Sequence, residues 1–346
     1  MSPLSRIVTF ESVLAAIGVG VLTSAAIYWY QRRKKCQVPT QWVPVGKVTR
    51  LYVYPLKSGH QIELETAMCT EYGLMVPQFL NLHQFRDRSF LVYNESDKKF
   101  ETARTSPKMV HIKMTAIDQS HVSLIAPNMP NLSVKIPNVI ENPMEIITQH
   151  GGEKIPTIDC GDAAAEWISK YLSDKISGFR VGYYDASRRR NVDPTHKAYK
   201  KVYPLFSNAA TGMYSDFSSY LLLNQSTVDD LNTRISDSDV THRNFRPNIL
   251  MEGAAPYAED NWSWIRIGDV VLYTVRSCTR CILTTINPET GIKSSTSEPL
   301  RTLRKYRLLK DVKNISLDGN SALMGLNLGL LTPGNINVGD TVYVGK

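Results

Sequence analysis

Short β-forming runs, each entered through a tight polar turn, constrain this chain more than any other feature. Residues 48–54, 89–93, 110–117 and 121–125 are rich in β-branched and aromatic side chains, several in alternation, the pattern of half-buried strands. Gly268-Asp269 leads into Val270-Val271-Leu272, and Gly339-Asp340 leads into Val342-Tyr343-Val344. Only two helices stand out. One spans residues 162–172 behind a Cys-Gly-Asp start, with Trp167 and Tyr171 on one face. The other spans residues 227–235, with Ser226 and Asp229 as a capping box and Val228, Leu231 and Ile235 as its buried stripe. Repeated turn-plus-strand units with few helices predict a mainly β protein of the α+β class, built on antiparallel barrels.

The 346 residues suit one large or two ordinary domains. A boundary near Ser187 is expected, because Arg188-Arg189-Arg190-Asn191-Val192-Asp193-Pro194 is polar and turn-prone. That stretch reads as a solvated basic loop, or as a rim that attracts an acidic partner protein. The net charge is +8, but half of the excess lies in the first 45 residues, where Arg6, Arg32, Arg33, Lys34 and Lys35 face only Glu11. The remainder is too dilute for a nucleic-acid-binding role. The five cysteines are odd in number and widely spaced, which argues against a disulfide framework and for a reducing compartment.

Residues 13–30 contain no charge. As a helix they would span about 27 Å, close to the hydrocarbon thickness of a bilayer. Tyr28, Trp29 and Tyr30 would lie at the interface, and Arg32 to Lys35 follow at once. A cleaved signal peptide would carry its basic residues before the apolar run and a small-residue site after it. The order here predicts an uncleaved single-pass anchor with the bulk of the chain on the cytosolic side. Residues 37–45, with two prolines and no charge, read as a linker.

No Gly-rich dinucleotide or phosphate loop, no His-Glu-x-x-His and no haem-attachment motif is present. The most telling motif is Cys278-Thr279-Arg280-Cys281, set between β-like runs at 270–275 and 282–286. Structural zinc needs four ligands, and Cys36, Cys69 and Cys160 are isolated. A thioredoxin-like pair would open a helix, whereas β-formers follow here. Two core cysteines at a strand junction, or one thiolate offered from a turn to a soft metal, remain as readings. Three further clusters place cations and hydroxyls at strand ends: Pro55-Leu56-Lys57-Ser58-Gly59, Arg86-Asp87-Arg88, and Asn244-Phe245-Arg246-Pro247-Asn248. The proline holds Arg246 out of a helix, in extended backbone.

Together, Tyr54-Pro55-x-Lys57-Ser58, Arg86-Asp87-Arg88, Asn244-Phe245-Arg246-Pro247-Asn248 and Cys278-x-Arg280-Cys281 resemble the MOSC family of molybdenum-cofactor-binding domains, from Gly46 onward. The resemblance implies an anchor at 13–30, a basic linker at 31–45, a β-barrel-like MOSC N-terminal domain at 46–187 and a MOSC β-barrel domain at 188–346. It implies that Cys281 ligates molybdenum, and that Lys57, Ser58, Arg88, Arg246 and Asn248, with Phe217, Ser218, Thr279 and Arg280, hold the molybdenum cofactor (Mo-molybdopterin). Asp87 and Asp216 are candidate catalytic groups for proton transfer or orientation. The implied activity is reduction of N-hydroxylated compounds such as amidoximes and hydroxylamines. Its electrons would come from NADH through cytochrome b5 reductase and cytochrome b5, at the outer mitochondrial membrane. A persulfide carrier on Cys281 and a non-catalytic cofactor carrier are the alternatives. The chain departs from the family pattern at Gly59-His60-Gln61, at Phe217 and at Asn327.

Overall fold

The computed structural model describes residues 37–78, 81–236 and 240–346. The expected membrane span at 13–30 lies outside them. Among the described residues no helix is long and apolar enough to cross a membrane.

Seven strands form a closed ring: β1 (Trp42–Val53), β2 (Tyr220–Asn224), β3 (Ile249–Glu252), β4 (Trp264–Ile267), β5 (Val270–Arg280), β6 (Ala322–Thr332) and β7 (Thr341–Gly345). Their order is β3-β2-β6-β5-β4-β7-β1, and β1 pairs with β3 to close it. Closure satisfies every strand edge. All pairs are antiparallel except β2 with β3, and that parallel pair needs a crossover. The crossover carries one of the two predicted helices, α2 (Gln225–Asn232).

The ring contradicts the reading of residues 37–45 as a linker. β1 starts at Trp42, and Pro44 sits beside a register shift against β7, where a missing N–H is tolerated. Gly46 is dictated by the seam, since a Cβ there would lie 2.0 Å from the Glu252 carbonyl oxygen. The first strand of the sequence thus belongs to the same ring as the C-terminal strands, and residues 41–346 form one compact unit.

The N-terminal half adds a five-stranded sheet in the order Met144–Thr148, Lys154–Asp159, Phe179–Tyr183, Phe90–Asn94, Phe100–Glu101. Its two edges meet through a bridge between Lys99 and Thr148, so this sheet also curls back on itself. The predicted first helix is α1 (Asp162–Ser173), which buries Trp167 and Tyr171. α2 begins earlier than expected. Asn224, not Ser226, is its N-cap, and the Asn224 side chain accepts the Ser226 N–H. Both Gly-Asp turns occur, with Gly268 at φ 57° and Gly339 at φ 92°.

Two more expectations fail. Residues 282–285 form a 3-10 turn rather than a strand, because Cys281 O accepts both the N–H (3.1 Å) and the hydroxyl (2.9 Å) of Thr284. The 188–194 stretch is solvated only in part: Arg188 and Asn191 are exposed, but Arg190 and Val192 are buried. Arg190 is 4% exposed and pairs with buried Glu153, Nη2 to Oε2 2.6 Å.

Candidate cofactor site

A cavity of about 370 Å³ gathers the sequence clusters. Every residue expected to contact the cofactor lines it, as does Asp216. Asp87 lies behind the wall. Three wall residues, Ser58, Arg88 and Arg246, have φ of 67°, 52° and 55°. Such left-handed backbone costs on the order of 1–3 kcal/mol at a non-glycine residue and persists only where the surroundings enforce it. Arg246 therefore departs from the extended conformation expected before proline. The proline does end the helical turn, but the Arg246 N–H caps Arg243 O at 3.2 Å and bends the chain the other way.

The cations are held in place one by one. Arg88 and Arg246 both stack on the Tyr54 ring, with guanidinium carbons 4.9 and 4.1 Å from its centroid. Arg88 is ion-paired to buried Asp87, whose other oxygen accepts the Tyr54 N–H at 2.9 Å. Asp87 is thus an orienting group with no contact to the cavity. Arg246 Nη1 donates to Gly59 O at 2.8 Å, while its Nη2 is buried with no partner. Burial, opposed by Tyr54 and reinforced by Arg88, pulls Arg246 down to about 10.

Lys57 Nζ donates to Tyr214 O at 2.8 Å and pairs with Asp216. Burial lowers Lys57, and Asp216 opposes that shift. Around Asp216 the surrounding protein would raise the carboxyl. The charges of Lys57 and His150 outweigh this and hold it below the usual carboxylate range. The Asp216 side chain is nevertheless 59% exposed, at the cavity mouth.

Two expected contacts are mostly consumed by the fold. The Asn248 side chain accepts Leu221 N–H at 3.1 Å and donates to Tyr52 O at 3.1 Å, stitching β1 and β2 beside β3. Arg280 sends Nε and Nη2 to Met324 O and Nη1 to Phe245 O. Gly325, at φ 76°, leaves room for that reach, since a Cβ there would lie 3.3 Å from Arg280 Nη2 and 2.7 Å from Leu222 O. Ser218 donates to Tyr220 O at 3.0 Å and lies 3.1 Å from the Asn327 oxygen. Phe217 stacks on Phe206 at 4.2 Å and carries the Arg276 guanidinium at 3.8 Å.

Across the cavity lie the cysteines. Cys281 is exposed and Cys278 partly so, and both are free thiols that line the cavity. Among the described residues no group of three or more His, Cys, Asp and Glu side chains could hold a metal ion. A metal at Cys281 would therefore find at most two such protein ligands and would draw its other donors from a bound group. A pterin-dithiolene cofactor meets that condition. Its phosphate suits the unpartnered Arg246 Nη2 and the cations around it.

Sequence reasoning missed Arg104, His150, His196 and Arg276, which also line the cavity. Burial holds His150 down to about 4; Asp216 opposes this, while Arg104 and Lys57 reinforce it. The Gly151-Gly152 turn after it was the one available signal, both glycines having positive φ.

Comparison with known proteins settles the relationship. Residues 45–175 match the MOSC N-terminal beta barrel domain, and residues 210–343 match the MOSC domain. The chain is 36% identical to mitochondrial amidoxime-reducing component 1 of Mus musculus, over 96% of this chain and 91% of that protein. It is 35% identical to the Homo sapiens protein of the same name, over 96% and 92%, and 33% identical to mitochondrial amidoxime reducing component 2 of Rattus norvegicus, over 95% and 92%. The chain belongs to the mitochondrial amidoxime-reducing component family. Membership supports a MOSC, molybdenum-cofactor-related function of the oxidoreductase class. The two matched segments of this family member share one ring, because β1 falls in the first and pairs with strands of the second. They leave residues 176–209 between them, and these include Arg189 and Arg190.

Proposed function

We propose that this chain is a molybdenum-cofactor oxidoreductase that reduces N-hydroxylated compounds such as amidoximes and hydroxylamines. Its electrons come from NADH through cytochrome b5 reductase and cytochrome b5. The observation that carries the reading is one exposed thiol, Cys281, facing a cation-lined cavity in which a buried guanidinium nitrogen of Arg246 has no partner. The family relationship supports it.

The bound cofactor would supply the two-electron chemistry that cleaves the N–O bond, with two protons consumed and water released. The chain supplies the rest. Cys281 would anchor the metal. Arg246, Arg88 and Lys57 would neutralise the cofactor's anionic end, and their ion pairs and ring stacks fix them in advance. Asp216, held ionised by Lys57, orients that lysine rather than donating a proton at neutral pH. His150 is neutral there, so protons enter from solvent at the open mouth. We place the protein at the mitochondrial outer membrane, anchored by residues 13–30 with the described part in the cytosol.

The test uses the full chain and its Cys281→Ala variant. Expected for the wild type are bound molybdenum and pterin, and NADH-dependent reduction of a model amidoxime when cytochrome b5 and its reductase are added. The variant should lose both molybdenum and turnover. Full activity in the variant, or a wild type carrying persulfide and no pterin, overturns the proposal.

A further inference from the structure

Residues 215–218 line the cavity from within a stretch, 211–219, that belongs to no strand or helix. Their buried carbonyls therefore have no ladder to accept from, and each one left unpaired would cost on the order of 1–3 kcal/mol. Two cations take up that task. Arg190 Nη1 donates to Gly212 O (3.3 Å), Met213 O (3.2 Å) and Ser215 O (2.7 Å), while Lys57 takes the carbonyl between them, Tyr214 O. The other nitrogens of Arg190 go to Glu153, Nε to Oε1 at 2.9 Å and Nη2 to Oε2 at 2.6 Å. Both side chains are almost wholly buried, so neither serves solvent or a partner protein. Arg189 repeats the pattern one step earlier. Its Nε donates to Asn208 O, and its Nη2 to Ala209 O and Thr211 O, at 2.7 to 3.0 Å.

We propose that Arg190 and Glu153 are positioning residues that clamp the 212–218 wall to the 150–152 turn and so set where Asp216, Phe217 and Ser218 face the cofactor. Glu153 directly follows the turn that presents His150, whose Nε2 lies 3.9 Å from Asp216 Oδ1. The clamp thus fastens both partners of the cavity mouth through one neutral pair. A bidentate guanidinium is required, because an ammonium cannot span the carboxylate and three carbonyls at once. The inference rests on the cofactor reading given above.

The experiment follows pterin fluorescence released from the full-length, cofactor-loaded chain at 25 °C, alongside the thermal midpoint. It compares the wild type with Arg190→Lys, with the isosteric Glu153→Gln and with a control at exposed Arg188, Arg188→Ala. Arg190→Lys and Glu153→Gln should release pterin about tenfold faster, as expected for residues that orient cofactor ligands, at temperatures where both remain folded. Arg188→Ala should match the wild type. Wild-type release from the folded variants, with only a lowered midpoint, overturns the clamp and leaves a purely structural pair. If Arg190→Lys does not fold, wild-type release from Glu153→Gln overturns it equally. A wild type with no pterin at all refutes the cofactor reading instead.

Discussion

The cavity has two unlike sides. On the side of Lys57, Arg88 and Arg246, Lys57 is buried, the two arginines are partly buried, and each charge is tied to an ion pair, a carbonyl or the Tyr54 ring. On the side of Cys278, Cys281 and Thr284, the thiols reach solvent and the side-chain bonds of Cys278 and Thr284 are local, such as Thr284 Oγ1 to Cys281 O at 2.9 Å. The difference separates two tasks. On the proposed function, the side that would hold a polyanion is made rigid in advance, with strained backbone at three residues. The side that would, on the same function, admit a metal and a substrate keeps its thiol accessible.

The sharpest way to break this contrast is Asp87→Asn. It leaves the largely buried Arg88 without its counter-charge, and loss of one partner of a buried pair costs about 3 kcal/mol. Urea denaturation should show that loss. A change below about 1 kcal/mol would mean the rigid side is less interdependent than its geometry implies. Arg246→Lys comes next. It should keep the fold yet weaken cofactor retention about tenfold, because lysine lacks the flat stack on Tyr54 and the second nitrogen. Pterin content after dialysis measures it.

A smaller effect is set by pH. Burial first of all holds His150 and His242 down to about 4, whereas an unfolded histidine titrates near 6.5. The folded state therefore binds fewer protons between those values, and stability falls as pH drops through that window. Partial exposure limits the loss to about 1 kcal/mol per histidine. His150→Gln should flatten the slope of the denaturation midpoint against pH, and an unchanged slope would refute its share. The smallest effect belongs to Cys278→Ser, which should leave molybdenum content within about twofold of wild type. A large loss, by metal analysis, would make the two cysteines equivalent and erase the distinction between them.

What the sequence reveals depends on how local the cause is. Trp167 and Tyr171 announce α1 because their spacing is the helix's own, and Gly268-Asp269 announces its turn because positive φ is a local demand. The cofactor clusters are legible only as a set, since Lys57 and Arg280 meet across the fold. Residues 282–285 mislead because two bonds to one carbonyl override their β preference. Arg189 and Arg190 mislead more. A run of charge resembles a solvated loop, and the carbonyls that bury it lie about 20 residues further along. Asn248 shows the reverse: a side chain expected to face a ligand spends its amide on β1 and β2.

The seam at β1 also sets the order of events during synthesis. Residues 42–53 leave the ribosome early, yet one neighbour, β3, ends at Glu252 and the other, β7, ends at Gly345. Only Leu51 to Val53 can pair early, with Ile62–Leu64. The ring cannot close until nearly three hundred further residues have emerged, so the first part of β1 waits for its barrel partners through most of translation.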